Sequence, residues 1–264
     1  MPRSLWTGSL SFGLVNVPVA LFSGVRDRDL HFRQLHAKDH TPIETHRFCA
    51  EEDEEVPYDE IANGYDETDD GEMVILTDAE LAAAAPHRSR TIDIEAFVDL
   101  EDVDPIYFDH PYVVMPSGEA EGIQRAYRLL VEVMGRSDRA ALGRVVMRTK
   151  EYLALIRARE ERLVLTTLLW HDEVRATDPL PAPTKKDKPA KKEVDAAIEL
   201  IEQFSCDWDP SRYEDAFEKR LKKIVQQKSK GKTIEIPEEE DEQASPMPDL
   251  MAALERSLEE ARSR

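Results

Sequence analysis

Between Arg144 and Trp170 three apolar runs follow one another, Arg144 to Thr149, Tyr152 to Ala158 and Arg162 to Trp170, separated by two to four polar residues. That spacing is the signature of consecutive β-hairpins. The first twenty residues add a second such unit. Leu5 to Val19 mixes β-branched and aromatic residues with Gly8, Gly13 and Asn16 at turn positions, which predicts strand, Gly turn, strand. Pro18 has no amide donor, so the second strand is expected to be an edge or to bulge there. Ser89 to Leu100 and Pro105 to Met115 also alternate with a period of two. Several short strands with few helices predict a β-barrel.

Helical signals are fewer. Thr77-Asp78-Ala79-Glu80 is a capping box opening a short helix that Pro86 stops. Ile123, Ala126, Tyr127, Leu130, Val131 and Met134 recur at three- and four-residue steps, with Gly135 placed to end the helix. After Arg175 the chain loses apolar content: Thr177 to Lys192 holds four prolines and five lysines, the composition of an exposed linker. Val194, Ala197, Ile198, Ile201 and Phe204 then form an apolar stripe. A second helix is expected behind Asp209-Pro210, carrying Tyr213, Phe217, Leu221 and Ile224 and stopping at Gly231. The expected organisation is a β-barrel core at 1–175, a Pro/Lys-rich linker at 176–193, a helical region at 194–232, an acidic linker at 233–247 and a terminal amphipathic helix at 248–264. The fold class is α+β, mainly β.

The chain carries a net charge of −20, which argues against a polyanionic ligand at first sight. The charge is not spread evenly. Residues 51–124 hold 23 acids and two bases, which exceeds the whole net charge, whereas residues 125–175 carry 11 bases against 7 acids. At physiological salt a field reaches only about 8 Å, so the local balance decides what binds. Cys49 and Cys206 show no metal or redox spacing, which suits a reducing cytosol. The stretch from Leu5 to Phe22 is broken by Gly8, Gly13, Asn16 and Pro18 and is not expected to be a targeting segment, so a cytoplasmic protein is expected.

Trp6 to Val19, read as Trp-Thr-Gly-Ser-Leu-Ser-Phe-Gly-Leu-Val-Asn-Val-Pro-Val, closely resembles the N-terminal signature of bacterial Ku proteins. Glu55 to Ile61 with Gly64-Tyr65, Val74 to Leu81, Arg148 to Leu155 and Trp170 to Arg175 resemble further blocks of that family in the same order. The resemblance covers essentially the whole chain. It implies a homodimeric ring of β-barrel cores whose bridging arms encircle double-stranded DNA ends without reading sequence. It also implies work in non-homologous end joining beside a multifunctional bacterial DNA ligase (ligase D), recruited through the C-terminal region, with no catalysis and no cofactor. Such a protein would associate with the nucleoid.

A ring that slides on any broken end touches phosphate and sugar, through Arg and Lys on strands or bridging loops. Strand alternation is expected to put Arg144, Arg148 and Lys150 on one face, opposite Val145 and Met147. Arg157, Arg159 and Arg162 near the next turn, and Arg26, Arg28, Arg33, Lys38 and Arg47 in the polar excursion after residue 29 or just before it, complete the candidate set. Lys185, Lys186, Lys188, Lys191 and Lys192 read equally as a plain linker or a weak basic patch. In the last helix Leu250, Met251, Leu254 and Leu258 form an apolar stripe suited either to a partner groove or to the chain's own core, the partner being favoured. Many family members end in a Lys-rich tail, but Glu238 to Arg264 has nine acids and three bases, so tail contacts with DNA are in doubt.

The rival reading is a zinc-dependent hydrolase built on His31, His36, His40 and His46 with Cys49. Their spacings fit no His-Glu-x-x-His or Cys-x-x-Cys pattern, and histidines in a polar loop are more often surface or DNA-facing groups.

Overall fold

The computed structural model describes residues 3–66, 71–86, 90–176, 189–232 and 250–262. The strands and helices are, in chain order, β1 (Trp6–Phe12), β2 (Val15–Ser23), β3 (Asn63–Tyr65), β4 (Val74–Leu76), α1 (Asp78–Ala84), β5 (Thr91–Asp99), β6 (Phe108–Pro116), α2 (Glu121–Ser137), β7 (Arg139–Met147), β8 (Lys150–Arg159), β9 (Arg162–Leu168), α3 (Lys191–Phe204), α4 (Ala216–Ser229) and α5 (Leu250–Arg262). The fold is mixed α+β. The chain divides into two compact units, Met1–Ala176 and Thr177–Arg264.

Seven strands of the first unit close into a barrel in the order β1-β2-β6-β9-β8-β7-β5. The predicted hairpins form: β7 with β8, β8 with β9, and β1 with β2 around Gly13 at φ 59°. Closure comes from a short parallel pairing, Ser9 to Ser11 of β1 against Thr91 to Asp93 of β5. Glycines on β1 and β7 let both strands approach the β5 chain closely. A Cβ on Gly8 would stand 2.1 Å from the Arg90 carbonyl oxygen, and one on Gly143 2.4 Å from the Asp93 carbonyl oxygen. Trp6 lies over Gly8 and donates its indole N–H to the Val146 carbonyl at 2.9 Å.

Pro18 departs from expectation. It sits on a strand flanked on both sides, paired with Ser9, and without a bulge. Its carbonyl accepts from Ser117 N–H, so its nitrogen also faces β6, just where the β2–β6 register ends at Val19↔Pro116. The missing donor therefore falls at the end of a ladder.

Leu10, Val17, Leu21, Ile92, Val114, Val145, Ile156 and Leu165 fill the barrel, and α2 adds Tyr127, Leu130 and Met134 to the same core. The Tyr127 hydroxyl donates to Val114 O at 2.6 Å and accepts from Leu163 N–H at 2.9 Å, bridging β6 and β9. Gly135 does not end α2 as expected. The helix runs to Ser137, and Asp138 at φ 52° supplies the left-handed cap. Gly135 instead faces Ala158, with its Cβ position 3.7 Å from that side chain.

In the second unit α3 begins at Lys191, where Glu193 accepts from Ala190 N–H at 2.6 Å, so Lys191 and Lys192 belong to the helix. Lys185, Lys186 and Lys188 lie outside the described residues, as does the expected acidic linker. Asp209 caps only a short 3-10 turn at Pro210–Arg212. Asp215 caps α4 by accepting from Glu218 N–H at 3.0 Å, because Tyr213 is extended between the two. α5 packs on α3, Leu258 is buried, and Arg262 pairs with Glu199 of α3. Leu250 and Leu254 line a cleft with Val194, Ala197, Ile198 and Ile201. The stripe favoured for a partner is thus turned largely onto the chain's own helix, because α3 offers an apolar row of matching length.

Candidate nucleic-acid interface

Opposed residues of an antiparallel ladder point to the same side of the sheet. Val145 is inside the barrel and pairs with Tyr152; Met147, two residues on, pairs with Lys150. Lys150 and Tyr152 therefore share the inward row. Arg144 pairs with Leu153 on the outward face, where Glu95 and Glu151 hold its guanidinium at 3.1 and 3.5 Å. Arg148 sits in the turn between β7 and β8, at φ 60°. The expected single basic row of Arg144, Arg148 and Lys150 does not form. A period of two holds only along one strand, and the left-handed turn at Arg148 reverses the chain and resets it.

The ends of the barrel differ. At one end lies α2, where Val15 shares a cleft with Ala126 and Leu129. The other, the open end, is not capped by α2: it carries the β7–β8 turn with Arg148 and Lys150, and Thr149 of that turn lines a cleft with Leu81 and Ala85. The excursion that holds Arg26, Arg28, Arg33, Lys38 and Arg47 leaves β2 at Ser23, opposite Tyr112, and the chain rejoins the barrel at Thr91, opposite Ser9. Both points belong to the open end. Arg157, Arg159 and Arg162 lie at the α2 end instead, on the outward face, with Arg159 directly opposite Arg162. Ten-residue β8 separates the two groups by roughly 30 Å at about 3.3 Å per residue.

Within the excursion the chain is exposed and pinned by local contacts. Isolated bridges join Leu35 to Pro42 and Phe48 to Glu55, and Arg47 lies 5.4 Å from the centre of the Tyr58 ring. His31 pairs with Asp27 at 3.1 Å, His36 with Asp39 at 3.0 Å, and His46 with Glu55 at 2.5 Å and Glu44 at 3.6 Å. The Glu55 hydrogen bond raises the His46 pKa above its ordinary value. These histidines are spread along the excursion with separate carboxylates. Among the described residues no three His, Cys, Asp or Glu side chains gather as a metal would require. No described helix is long and apolar enough to cross a membrane.

Sequence reasoning passed over the aromatic lining of the open end. Tyr112 and Tyr152 are strand formers by composition, and only the register turns them inward. The His110 ring lies tilted at 54° against that of Tyr112, with centroids 4.8 Å apart, and its Nε2 is 3.5 Å from Ser23 Oγ. Lys150 Nζ lies 5.3 Å from the centre of the Tyr152 ring and 3.2 Å from Glu173 Oε1. Thr167 is buried, donates to Asp109 Oδ2 at 2.8 Å and accepts from His110 N–H at 3.1 Å. Alternation in Tyr112-Val113-Val114 was the available signal, but it leaves open which face is the core.

The pattern of the Ku70/Ku80 beta-barrel domain family matches residues 11–196. The chain is 38% identical over 261 residues to "Non-homologous end joining protein Ku 1" of Geotalea uraniireducens, covering 98% of both chains. It is 38% identical over 263 residues to "Non-homologous end joining protein Ku 2" of Saccharopolyspora erythraea, covering 99% of this chain and 85% of the relative. Among solved structures, the SPOC domain of human PHD-finger protein 3 aligns with a TM-score of 0.30 and 11% identity over 63% of this chain and 95% of that one, a likeness too loose to bear on the argument. With the barrel, its family pattern and relatives matched end to end, the chain belongs to the Ku family.

Proposed function

We propose that this protein binds double-stranded DNA ends independently of sequence, as a homodimeric ring, in non-homologous end joining, and that it recruits and stimulates a repair ligase of the ligase D kind. It acts by binding, not catalysis, in the cytoplasm on nucleoid DNA. The observation that carries this reading is that the β7–β8 turn with Arg148, and Lys150 at the start of β8, stand at the end of the barrel where the chain leaves for the excursion holding Arg26, Arg28, Arg33, Lys38 and Arg47 and returns from it. Cations on a projecting loop and a rigid turn suit contacts to the phosphate backbone, which position a duplex without reading it. Arg157, Arg159 and Arg162 form a second candidate group, and Arg144, already held by two carboxylates, contributes least.

The excursion also supports a second copy as partner. Phe32, Phe48, Tyr58, Met73 and Ile75 are 67, 60, 80, 67 and 66% exposed. So many large apolar groups on one projecting segment mark an interaction surface, and two-stranded β3–β4 is marginal alone. The ligase contact falls to the second unit, where Ile201, Phe204, Trp208 and Phe217 remain exposed after α5 has docked on α3; Leu250, Met251, Leu254 and Leu258 take part only where they extend beyond that packing.

The test is an equilibrium titration with two linear duplexes of unrelated sequence over a salt series. Equal affinities are expected, and Arg33→Glu with Arg47→Glu should weaken both and flatten the slope of log K against log salt by about 0.9 for each phosphate no longer neutralised. Arg144→Glu should change little. A wild-type protein that binds one sequence alone, or no duplex, overturns the reading; sedimentation as a monomer overturns the ring.

A further inference from the structure

We propose that the open end of the barrel is a phosphate-binding cluster in which the Tyr112 and Tyr152 hydroxyls donate, beside the Arg148 guanidinium, to the sugar-phosphate backbone of DNA. The inference rests on the DNA-binding reading above and names neutral donors that the basic residues alone do not include.

Three observations carry it. First, position: the register turns Tyr112 and Tyr152 to the inward row at the end where the excursion departs, with Arg148 on the turn between the strands that carry Lys150 and Met147. Second, the donor balance. The acids nearby are already engaged, Asp109 by the Thr167 hydroxyl and Glu173 by Lys150 and the Trp170 N–H at 2.8 Å. Among the described residues neither phenol has a hydrogen-bond acceptor and Arg148 has no carboxylate partner. Both tyrosines are half-buried. Third, Arg148 is held at φ 60°, a region that a residue with a side chain rarely adopts, so the fold fixes the turn that carries it.

The chemistry selects the ligand class. Two hydroxyls and a guanidinium that bond none of the neighbouring carboxylates suit an oxyanion with several acceptor oxygens, whereas a base edge presents donors as well. Burial, more than its neighbours Tyr152 and Asp109, pushes the Tyr112 pKa up against the opposing pull of Arg148, which keeps the phenol protonated and able to donate. The phosphate could be internal to the strand or the 5′-terminal group; the chemistry is shared.

The experiment uses the full chain and blunt linear duplexes with 5′-phosphate or 5′-hydroxyl ends, read by fluorescence anisotropy over a salt series. Tyr112→Phe with Tyr152→Phe keeps both rings and removes only the hydroxyls. Affinity should fall about tenfold per hydroxyl, as for hydrogen bonds to a charged group, with an unchanged salt slope because every cation remains in place. Arg148→Gln, an exposed turn substitution that leaves the barrel intact, should instead lower the slope by about 0.9. An equal fall on both duplexes assigns the contact to internal phosphates, and a fall confined to phosphorylated ends assigns it to the terminus. A double Phe variant that binds as wild type, or an Arg148→Gln variant with unchanged slope, overturns the cluster while leaving DNA binding intact. Wild-type protein that fails to bind linear duplex overturns both.

Discussion

Tyr127→Phe isolates one hydroxyl on which the seam between β6 and β9 depends. The hydroxyl donates to Val114 O and accepts from Leu163 N–H, and both residues are essentially inaccessible to water, at 1% and 0%. Phenylalanine fills the same ring volume, so no cavity term enters. The loss is two hydrogen bonds at about 1 kcal/mol each, with up to about 1 to 2 kcal/mol more because the Leu163 N–H is left unsatisfied in the core. The expected destabilisation is therefore about 2–4 kcal/mol. For a unit of this size each kcal/mol moves the midpoint by about 2–4 °C, so thermal unfolding followed by circular dichroism should show a drop of roughly 4–16 °C. Chemical denaturation should give the same free-energy loss with an unchanged m-value, because the exposed area on unfolding is the same. A loss below about 0.5 kcal/mol would refute the reasoning, since it would mean that β6 and β9 close directly, N–H to carbonyl, without the hydroxyl.

Two glycines should respond in opposite directions. Gly143→Ala puts a methyl against the Asp93 backbone oxygen, with no flexible group to yield, and should cost more than about 2 kcal/mol, whereas Gly135→Ala, in ordinary contact inside α2, should stabilise by about 0.5–1 kcal/mol in denaturant titration. His46 should titrate above its ordinary value by NMR and return toward it in Glu55→Gln; its pairing therefore contributes fully below about pH 6.5 and is lost as the pH rises through the raised pKa. A His46 titration unchanged by Glu55→Gln would contradict the pairing.

How much of this was legible in the sequence depended on the range of the interactions concerned. Hairpins were legible because β1–β2 and β7–β8–β9 pair neighbours across turns of a few residues, and Gly13 marks its turn. The barrel's closure was not, since Ser9 meets Thr91 across 82 positions and only Gly8, which reads as a turn glycine, carries its trace. Gly135 looked like a helix stop because glycine is the usual one, yet Asp138 adopts the left-handed conformation and the helix continues to it. The cations were identifiable by type but not by direction. Arg144, Arg148 and Lys150 alternate in sequence, and the positive φ at Arg148 puts a reversal in the middle of that alternation. The terminal stripe at Leu250 to Leu258 was visible as amphipathic, but its occupant, α3, was not, because an apolar row does not name what covers it.

The central claim is a ring that reaches DNA through an end, and DNA topology tests it most directly. The same sequence is offered as a linear duplex and as a relaxed closed circle, and the linear complex is then sealed by ligation. The account predicts binding to the linear form, none to the circle, and protein that stays on the sealed molecule in high salt. Equal affinity for circle and linear duplex, or immediate loss from the sealed circle, would contradict it.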